Sequence, residues 1–412
     1  MDRRKELDLG NNVIMNTRSN RVVGKQAEPG LSRRETIAGA SASLLYAAMP
    51  ASALAAGTSK QDKGMEKKMD LTGGLDPESE YVLTEAQTTP FMQEGINWWL
   101  WDDAGEFGMP RLAVEAMAPD WDHPHVQFNF FRGEDLLMRG WGAYPAHKVF
   151  GPDGKASHFG AGPLWFDCVE PFRRYRARFD GAPMAGTFTE MARPGFAIER
   201  LAPLRFDIEA EAVVPPWIQG TLSADAAEKM ASDTVEGEFM GGDRLEQLCR
   251  VKGTINFDGR EREFTGGALR IRRAGIRKIS GFWGHCWQSA VFPSGKAFGY
   301  IAYPPRPDGQ PSYNEGYIFT GDGELVPARA IHSPWLKDIR FSGEDVSLVL
   351  ETADGEQHRI GAETFGGMPS IGGLDTGFPP LLQSIVRYSW DGETAFGMME
   401  RSNLPEKVTL PA

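Results

Sequence analysis

Apolar or small residues alternate with polar ones along Cys249-Arg250-Val251-Lys252-Gly253-Thr254-Ile255-Asn256-Phe257, and Asp258-Gly259 closes the run. A period of two places one set of side chains on a dry face and the other in water. Asp-Gly supplies the positive φ angles that a tight type I′ hairpin needs. The same grammar recurs at Val346-Ser347-Leu348-Val349-Leu350 before Asp354-Gly355, and at Tyr388-Ser389-Trp390 before Asp391-Gly392. Further Asp-Gly pairs begin at 153, 180, 308 and 322, so hairpins are predicted in both halves. The pattern predicts an antiparallel all-β protein.

Helical writing is sparse. Ser223-Ala224-Asp225-Ala226-Ala227-Glu228-Lys229-Met230-Ala231 opens on a capping residue with an acid in the first turn. It follows Val214-Pro215-Pro216-Trp217, where prolines interrupt the strand pattern. Pro215 to about Gly237 therefore reads as the connection between an N-terminal β-domain over 86–220 and a C-terminal one over 238–412. No 20–50-residue repeat is present, which argues against a propeller.

The amino end departs from this pattern. Paired Arg33-Arg34, a small-residue and mildly apolar stretch, and Ala53-Leu54-Ala55 form the layout of a twin-arginine signal with an A-x-A cleavage site. Glu35 directly after the arginines is a departure from that layout. Residues 1–55 are thus expected to be removed on export by the twin-arginine machinery, leaving a periplasmic protein, and 56–85 to form a flexible lead-in. The formal charge is −12, and there is no sustained Lys/Arg run. A nucleic-acid partner is excluded on that ground, since neutralising phosphates needs a basic face. No later stretch reaches 18 apolar residues, so no transmembrane span is predicted. Cys168, Cys249 and Cys286 are too few and scattered for a zinc motif, though one disulfide is compatible with them.

Most familiar sites are missing. There is neither G-x-S-x-G nor a glycine-rich phosphate loop, and no cofactor is predicted. His123 and His125 would share a face of a strand, but a third metal ligand is not evident, and no metal site is assigned. Ile96-Asn97-Trp98-Trp99-Leu100-Trp101-Asp102 must divide its indoles between two faces, so at least one, taken as Trp99, lines a cavity or an interface. Cys168 to Arg176 carries an acid and three arginines, which reads as a solvated strand with local ion pairs.

Trp283-Gly284-His285-Cys286-Trp287 is less ordinary. On a strand, Trp283, His285 and Trp287 share a face, placing an imidazole between two indoles. Downstream, Tyr313-Asn314-Glu315 puts a phenol and a carboxyl at i and i+2. If both segments line one barrel, a His, a Glu, a Tyr and two indoles converge on a pocket; packing in a core is the competing reading.

Arg244-Leu245-Glu246-Gln247, Phe264-Thr265-Gly266-Gly267, His285-Cys286-Trp287 and Gly397-Met398-Met399-Glu400 together resemble the carotenoid hydratase (hydroxyneurosporene synthase) superfamily. Glu170-Pro171-Phe172-Arg173-Arg174-Tyr175 is similar to an E-P-x-R-x-W element of related proteins, with Tyr175 in place of the Trp. The resemblance implies two tandem lipocalin-like antiparallel β-barrels. It also implies functional roles for a His-x-Trp pair and a Tyr-x-Asp pair, matched here by His285-x-Trp287 and Tyr313-x-Glu315. Glu315 stands where those enzymes have Asp, and Cys286 and Gln288 stand where many relatives have Ser and Gly.

The resulting expectation is a lyase- or isomerase-type enzyme that hydrates, dehydrates or isomerises an apolar isoprenoid- or steroid-like substrate. Glu315, His285 and Tyr313 are the expected catalytic groups, with Glu315 as a neutral acid in an aromatic pocket. Trp283, Trp287, Trp99 and Glu400 are expected to contact substrate, the indoles offering π faces to a cationic intermediate. The alternatives are a periplasmic carrier that holds a hydrophobic ligand in the same barrel without chemistry and, further off, a cyclising catalyst.

Overall fold

The computed structural model describes residues 69–410, apart from 196, 232–233, 279–280, 307 and 372–378; the expected signal and most of the lead-in lie outside them. The protein is nearly all β, as the alternation predicts. Strands β1 (Met92–Asp102), β2 (Gly108–Met117), β3 (His125–Phe131), β4 (Leu137–Ala143), β5 (His158–Ala161) and β6 (Leu164–Glu170) open the chain. They are followed by β7 (Arg174–Gly181), β8 (Met184–Gly186), β9 (Leu204–Ala212), β10 (Trp217–Ile218), β11 (Asp243–Asn256) and β12 (Glu261–Ile276). These form one curled sheet in the order β5-β6-β7-β9-β11-β12-β1-β2-β3-β4-β8, with β10 pairing β11.

The remaining strands close into an antiparallel barrel in chain order. They are β13 (Gly284–Val291), β14 (Ala297–Ala302), β15 (Asn314–Phe319), β16 (Val326–His332), β17 (Leu348–Thr352), β18 (Gln357–Ser370), β19 (Leu381–Trp390) and β20 (Glu393–Asn403). Tandem lipocalin-like β-structures are therefore present, the first as a curled half-barrel and the second closed.

Turn chemistry follows the sequence in part. Asp391-Gly392, at φ 46° and 80°, has the two positive angles of a type I′ turn, whereas at 258–259 and 354–355 only the glycines are positive, at 85° and 87°, within longer four-residue connections. Asp180-Gly181 instead ends β7 without turning, paired with Arg205 and Leu204 of β9. The position of the domain junction also differs from expectation. The hairpin of β11 and β12, placed by the sequence in the C-terminal domain, belongs to the first sheet, where β11 pairs β9 and β12 pairs β1. The prolines before Trp217 interrupt the pattern without ending the sheet, and the change of sheet falls between Ile276 and Gly284.

Three short α-helices occur among the described residues: α1 (Phe188–Met191), α2 (Ala224–Lys229) and α3 (Val235–Met240). The Ser223 hydroxyl caps α2 through the Ala226 N–H, as its sequence predicts. α3 was not predicted, because Gly237 interrupts its helical pattern. That glycine is required, since a Cβ there would lie 1.9 Å from the Ala231 carbonyl oxygen.

Each sheet has its own core, and a third apolar cluster lies between them. Phe107, Phe128, Phe130, Phe179 and Trp98 fill the hollow of the first sheet. Phe298, Tyr300, Leu350, Tyr388 and Trp390 fill the lumen of the barrel. Trp99, Trp101, Phe131, Leu248 and Leu269 of the first sheet meet Trp287, Ile301, Tyr317, Ile385 and Met398 of the barrel's outer wall. Contact at this seam is close enough to demand glycine: a Cβ on Gly108 would lie 2.5 Å from Ile385 and 2.6 Å from Phe131.

Candidate active site

Pleating separates the residues of β13 into two sets. Cys286, Gln288 and Ala290 point into the lumen, where the Tyr300 hydroxyl accepts from Gln288 Nε2 at 2.9 Å and the Tyr388 hydroxyl donates to its Oε1 at 2.9 Å. His285 and Trp287 point outward, toward the first sheet. The convergence expected inside one barrel therefore occurs on the barrel's outer wall, and the lumen is packed with rings. Strand register sets the layout of that wall. Glu400 of β20 pairs with Trp287, Trp287 with Ile301 of β14, and Ile301 with Glu315 of β15, so the four side chains stand in one row.

His285 and Glu400 form the center of the wall. His285 Nε2 lies 3.0 Å from Glu400 Oε1, and its Nδ1 lies 2.6 Å from Ser402 Oγ. Ser402 Oγ also accepts the His285 backbone N–H at 3.1 Å and so fixes the ring, and because a carboxylate only accepts, the Nε2 proton faces Glu400. Gln383 of β19 donates to Glu400 Oε2 at 2.6 Å and is held in turn by Asn129 of β3 at 2.9 Å. Arg139 of β4 completes the chain by donating to Asn129 at 3.1 Å. Burial alone would raise the Glu400 carboxyl, but the His285 hydrogen bond, with Arg111 and Gln383, holds it down at about 2.

Arg111 reaches the same carboxylate from the first sheet. Its Nη1 is 3.9 Å from Glu400 Oε2, and its Nη2 is 3.0 Å from Glu115. Arg111 adopts φ 67° where the pairing of β1 with β2 is irregular, a left-handed conformation that a non-glycine residue rarely holds. The irregularity turns its guanidinium across the seam.

Trp99 and Trp101 face the seam while Trp98 faces the first sheet's own core, which divides the three indoles as expected. Trp99 meets Trp287 edge to face, with centroids 5.7 Å apart. Trp287 donates through Nε1 to Glu246 at 3.0 Å, and the Arg244 guanidinium covers its ring at 4.2 Å. Its π face is thus already occupied by a cation. Trp283 lies just before β13, turned by Gly284 at φ 125°, so it does not share the strand alternation. Its Nε1 donates to the Pro304 carbonyl at 2.8 Å, and its ring packs against Tyr303 at 5.6 Å.

Glu315 occupies a different environment from the one expected of a proton donor. It accepts from Tyr313 Oη at 2.6 Å, Gly220 N at 2.6 Å, Leu222 N at 2.8 Å and Trp217 Nε1 at 3.1 Å. Backbone and indole N–H groups only donate, so three of these four partners call for an accepting oxygen. Both oxygens are taken and no edge is left for a substrate. Glu315 with Tyr313 is therefore a latch that fixes the Trp217–Leu222 connector on the barrel wall.

His123 lies in the turn before β3 and His125 begins that strand, so the two do not share the strand face expected of them. No group of three potential metal ligands occurs among the described residues. All three cysteines are free. Glu170 pairs with Arg173 and Arg174 at the surface, as read from the sequence. Sequence reasoning missed Arg111, Arg244, Glu246, Arg273, Gln383 and Ser402. A signal was present for three of them: Arg244 and Glu246 occupy the phase of β11 that continues into Leu248, and Ser402 stands two residues from Glu400.

A curled β-sheet and a closed barrel in tandem, with polar groups buried at their seam, define a lipocalin-like two-unit β-protein. Within that class the chain belongs to the family described as Domain of unknown function (DUF7064), whose model matches residues 76–405. An AttH-like protein of Nitrosomonas europaea has a similar structure, at 14% identity, a TM-score of 0.50, and coverage of 78% of this chain and 98% of that one. CghA, solved with Sch210972, aligns at 12% identity and TM-score 0.46 over 82% and 97% of the two chains. Kievitone hydratase of Nectria haematococca aligns at 9% and 0.39 over 78% and 93%. The first of these likenesses is one of fold. No curated protein sequence matches the chain significantly.

Proposed function

We propose that this chain is an exported lyase- or isomerase-type enzyme that moves a proton on an apolar, isoprenoid- or steroid-like substrate held at the seam between the two sheets. The observation that carries the reading is the His285–Glu400 pair: an imidazole and a carboxylate 3.0 Å apart, buried beside two indoles and fixed by Ser402 and Gln383. Such a pair holds and transfers a proton, which is what hydration, dehydration and double-bond migration require. Glu400 accepts the proton from carbon or water and returns it to the substrate, while the His285 Nε2–H holds the carboxylate in position. Trp99 and Trp287 give the seam its apolar wall. Export rests on Arg33-Arg34 and Ala53-Leu54-Ala55, which lie outside the described residues.

The test is a product assay of the mature protein against a panel of apolar alkenes and alcohols, chosen from ligands that co-purify with it. Turnover by wild type, lost in Glu400→Gln and in His285→Ala while ligand binding persists, supports the enzyme. Binding without turnover in wild type leaves a carrier of hydrophobic ligands.

A further inference from the structure

The seam holds more positive charge than its neighbours compensate. One row across the first sheet reads Glu115, Gly95, Arg273 and Arg244 on β2, β1, β12 and β11. Two arginines directly opposite one another on one face repel, and such a pair is normally avoided. Arg244 has a partner in Glu246, with Nη2 3.0 Å from Oε1. The Arg273 guanidinium makes no hydrogen bond or ion pair among the described residues, and that of Arg277, just beyond β12, donates only to the Phe239 carbonyl at 2.8 Å and stacks on that ring. The Nε atoms of Arg111, Arg244 and Arg273 are all buried without a partner.

Tyr303 and Glu115 are the common neighbours of this cluster. Burial, then the charges of Arg277 and Arg244, depress the Arg273 guanidinium well below its usual range, and burial brings Arg277 down to about 10. Burial opposes the Glu115 carboxylate, yet Arg111, Arg277 and Arg273 outweigh it and hold Glu115 below its usual range. Four guanidiniums thus face three carboxylates, Glu115, Glu246 and Glu400, and one positive charge is left over. Glu236 and Glu238 do not settle it, being paired with Arg306 and Lys278.

From this geometry we infer that the seam takes an organic acid: an apolar body against Trp99 and Trp287, and a single carboxylate on Arg273, Arg277 and Arg111. One carboxylate matches the surplus charge, and the planar fork of a guanidinium matches its two oxygens. A phosphate dianion would overshoot the surplus. The inference rests on the apolar seam site proposed above and names its substrate class.

The experiment compares a C20 isoprenoid carboxylic acid with the alcohol of the same chain, by quenching of intrinsic tryptophan fluorescence in the full chain at pH 7. The acid is expected to bind at least about tenfold tighter than the alcohol, with the preference falling below about threefold in Arg273→Gln and retained in Arg273→Lys. Ligand-free Arg273→Gln is expected to melt no lower than wild type, because it removes an uncompensated charge. If Arg273→Gln does not fold, Arg277→Gln takes its place. Equal binding of acid and alcohol, or a preference unchanged in the Gln variants, overturns the inference while leaving the apolar seam in place. Failure of both ligands to bind overturns the seam site and the inference together.

Discussion

Glu315 and Glu400 stand in the same row of the barrel's outer wall, both buried, with two strands between them that carry Trp287 and Ile301. Their surroundings differ in kind. Glu315 is enclosed by four donors, two of them backbone N–H groups of the connector, and has no free edge. Glu400 shares one oxygen with an imidazole and presents the other to Gln383 and, 3.9 Å away, to Arg111. A buried carboxylate saturated by backbone and indole N–H groups is structural, whereas one paired with an imidazole, which ordinarily titrates near neutrality, is placed for proton transfer. Burial and aromatic neighbours do not distinguish the two, and the identity of the hydrogen-bond partners does.

The largest separation between them is expected in turnover. Glu400→Gln removes the proton acceptor and should lower the rate by about 10²–10⁴-fold, the usual worth of a positioned acid or base. Glu315→Gln should lower it by less than about tenfold. Stability reverses the order. Glu315→Gln sets an amide N–H₂ against groups that only donate and should cost on the order of 2–3 kcal/mol in urea unfolding.

Acid sensitivity gives a smaller contrast. Glu400 is held at about 2, below its unfolded value near 4.5. A depressed carboxyl contributes stability that is fully present above pH 4.5 and is lost as pH falls toward 2. Stability of wild type should therefore decline across that window more steeply than that of Glu400→Gln, as followed by unfolding midpoints at stepped pH. The smallest effect is expected of Tyr313→Phe, which removes one of the four donors to Glu315 and should cost about 1 kcal/mol.

Much of the fold was legible in the sequence because alternation and turn chemistry are local. The Asp-Gly hairpins at 258, 354 and 391 fall where predicted, and β1, β11 and β19 follow the runs that announced them. The assignment of the β11–β12 hairpin was not legible, because which sheet a hairpin joins depends on partners far away in the chain. The site was legible in part. His285 and Trp287 share a face, and Trp99 and Glu400 join them. Alternation alone says that two residues share a face without saying whether that face is the lumen or the outside, so the pocket was placed inside the barrel. The role of Glu315 was misjudged for a related reason: Gly220 and Leu222, which occupy its oxygens, lie over 90 residues away in sequence. The charge cluster around Arg273 had no sequence signal, because register alone sets Arg273 opposite Arg244.

The central claim is that ligand binds at the seam between the sheets and not in the barrel lumen. A photoreactive isoprenoid, cross-linked to the protein and located by mass spectrometry at residue level, tests it most directly. β16 and β17 line the lumen through Ala328, Ala330, Leu348 and Leu350 and contribute nothing to the seam cluster. The account predicts labels on Trp99, Arg111, Trp287 or their neighbours in β1, β2 and β12, with none on β16 or β17. Labels concentrated on Ala328, Ala330, Leu348 and Leu350 would contradict it.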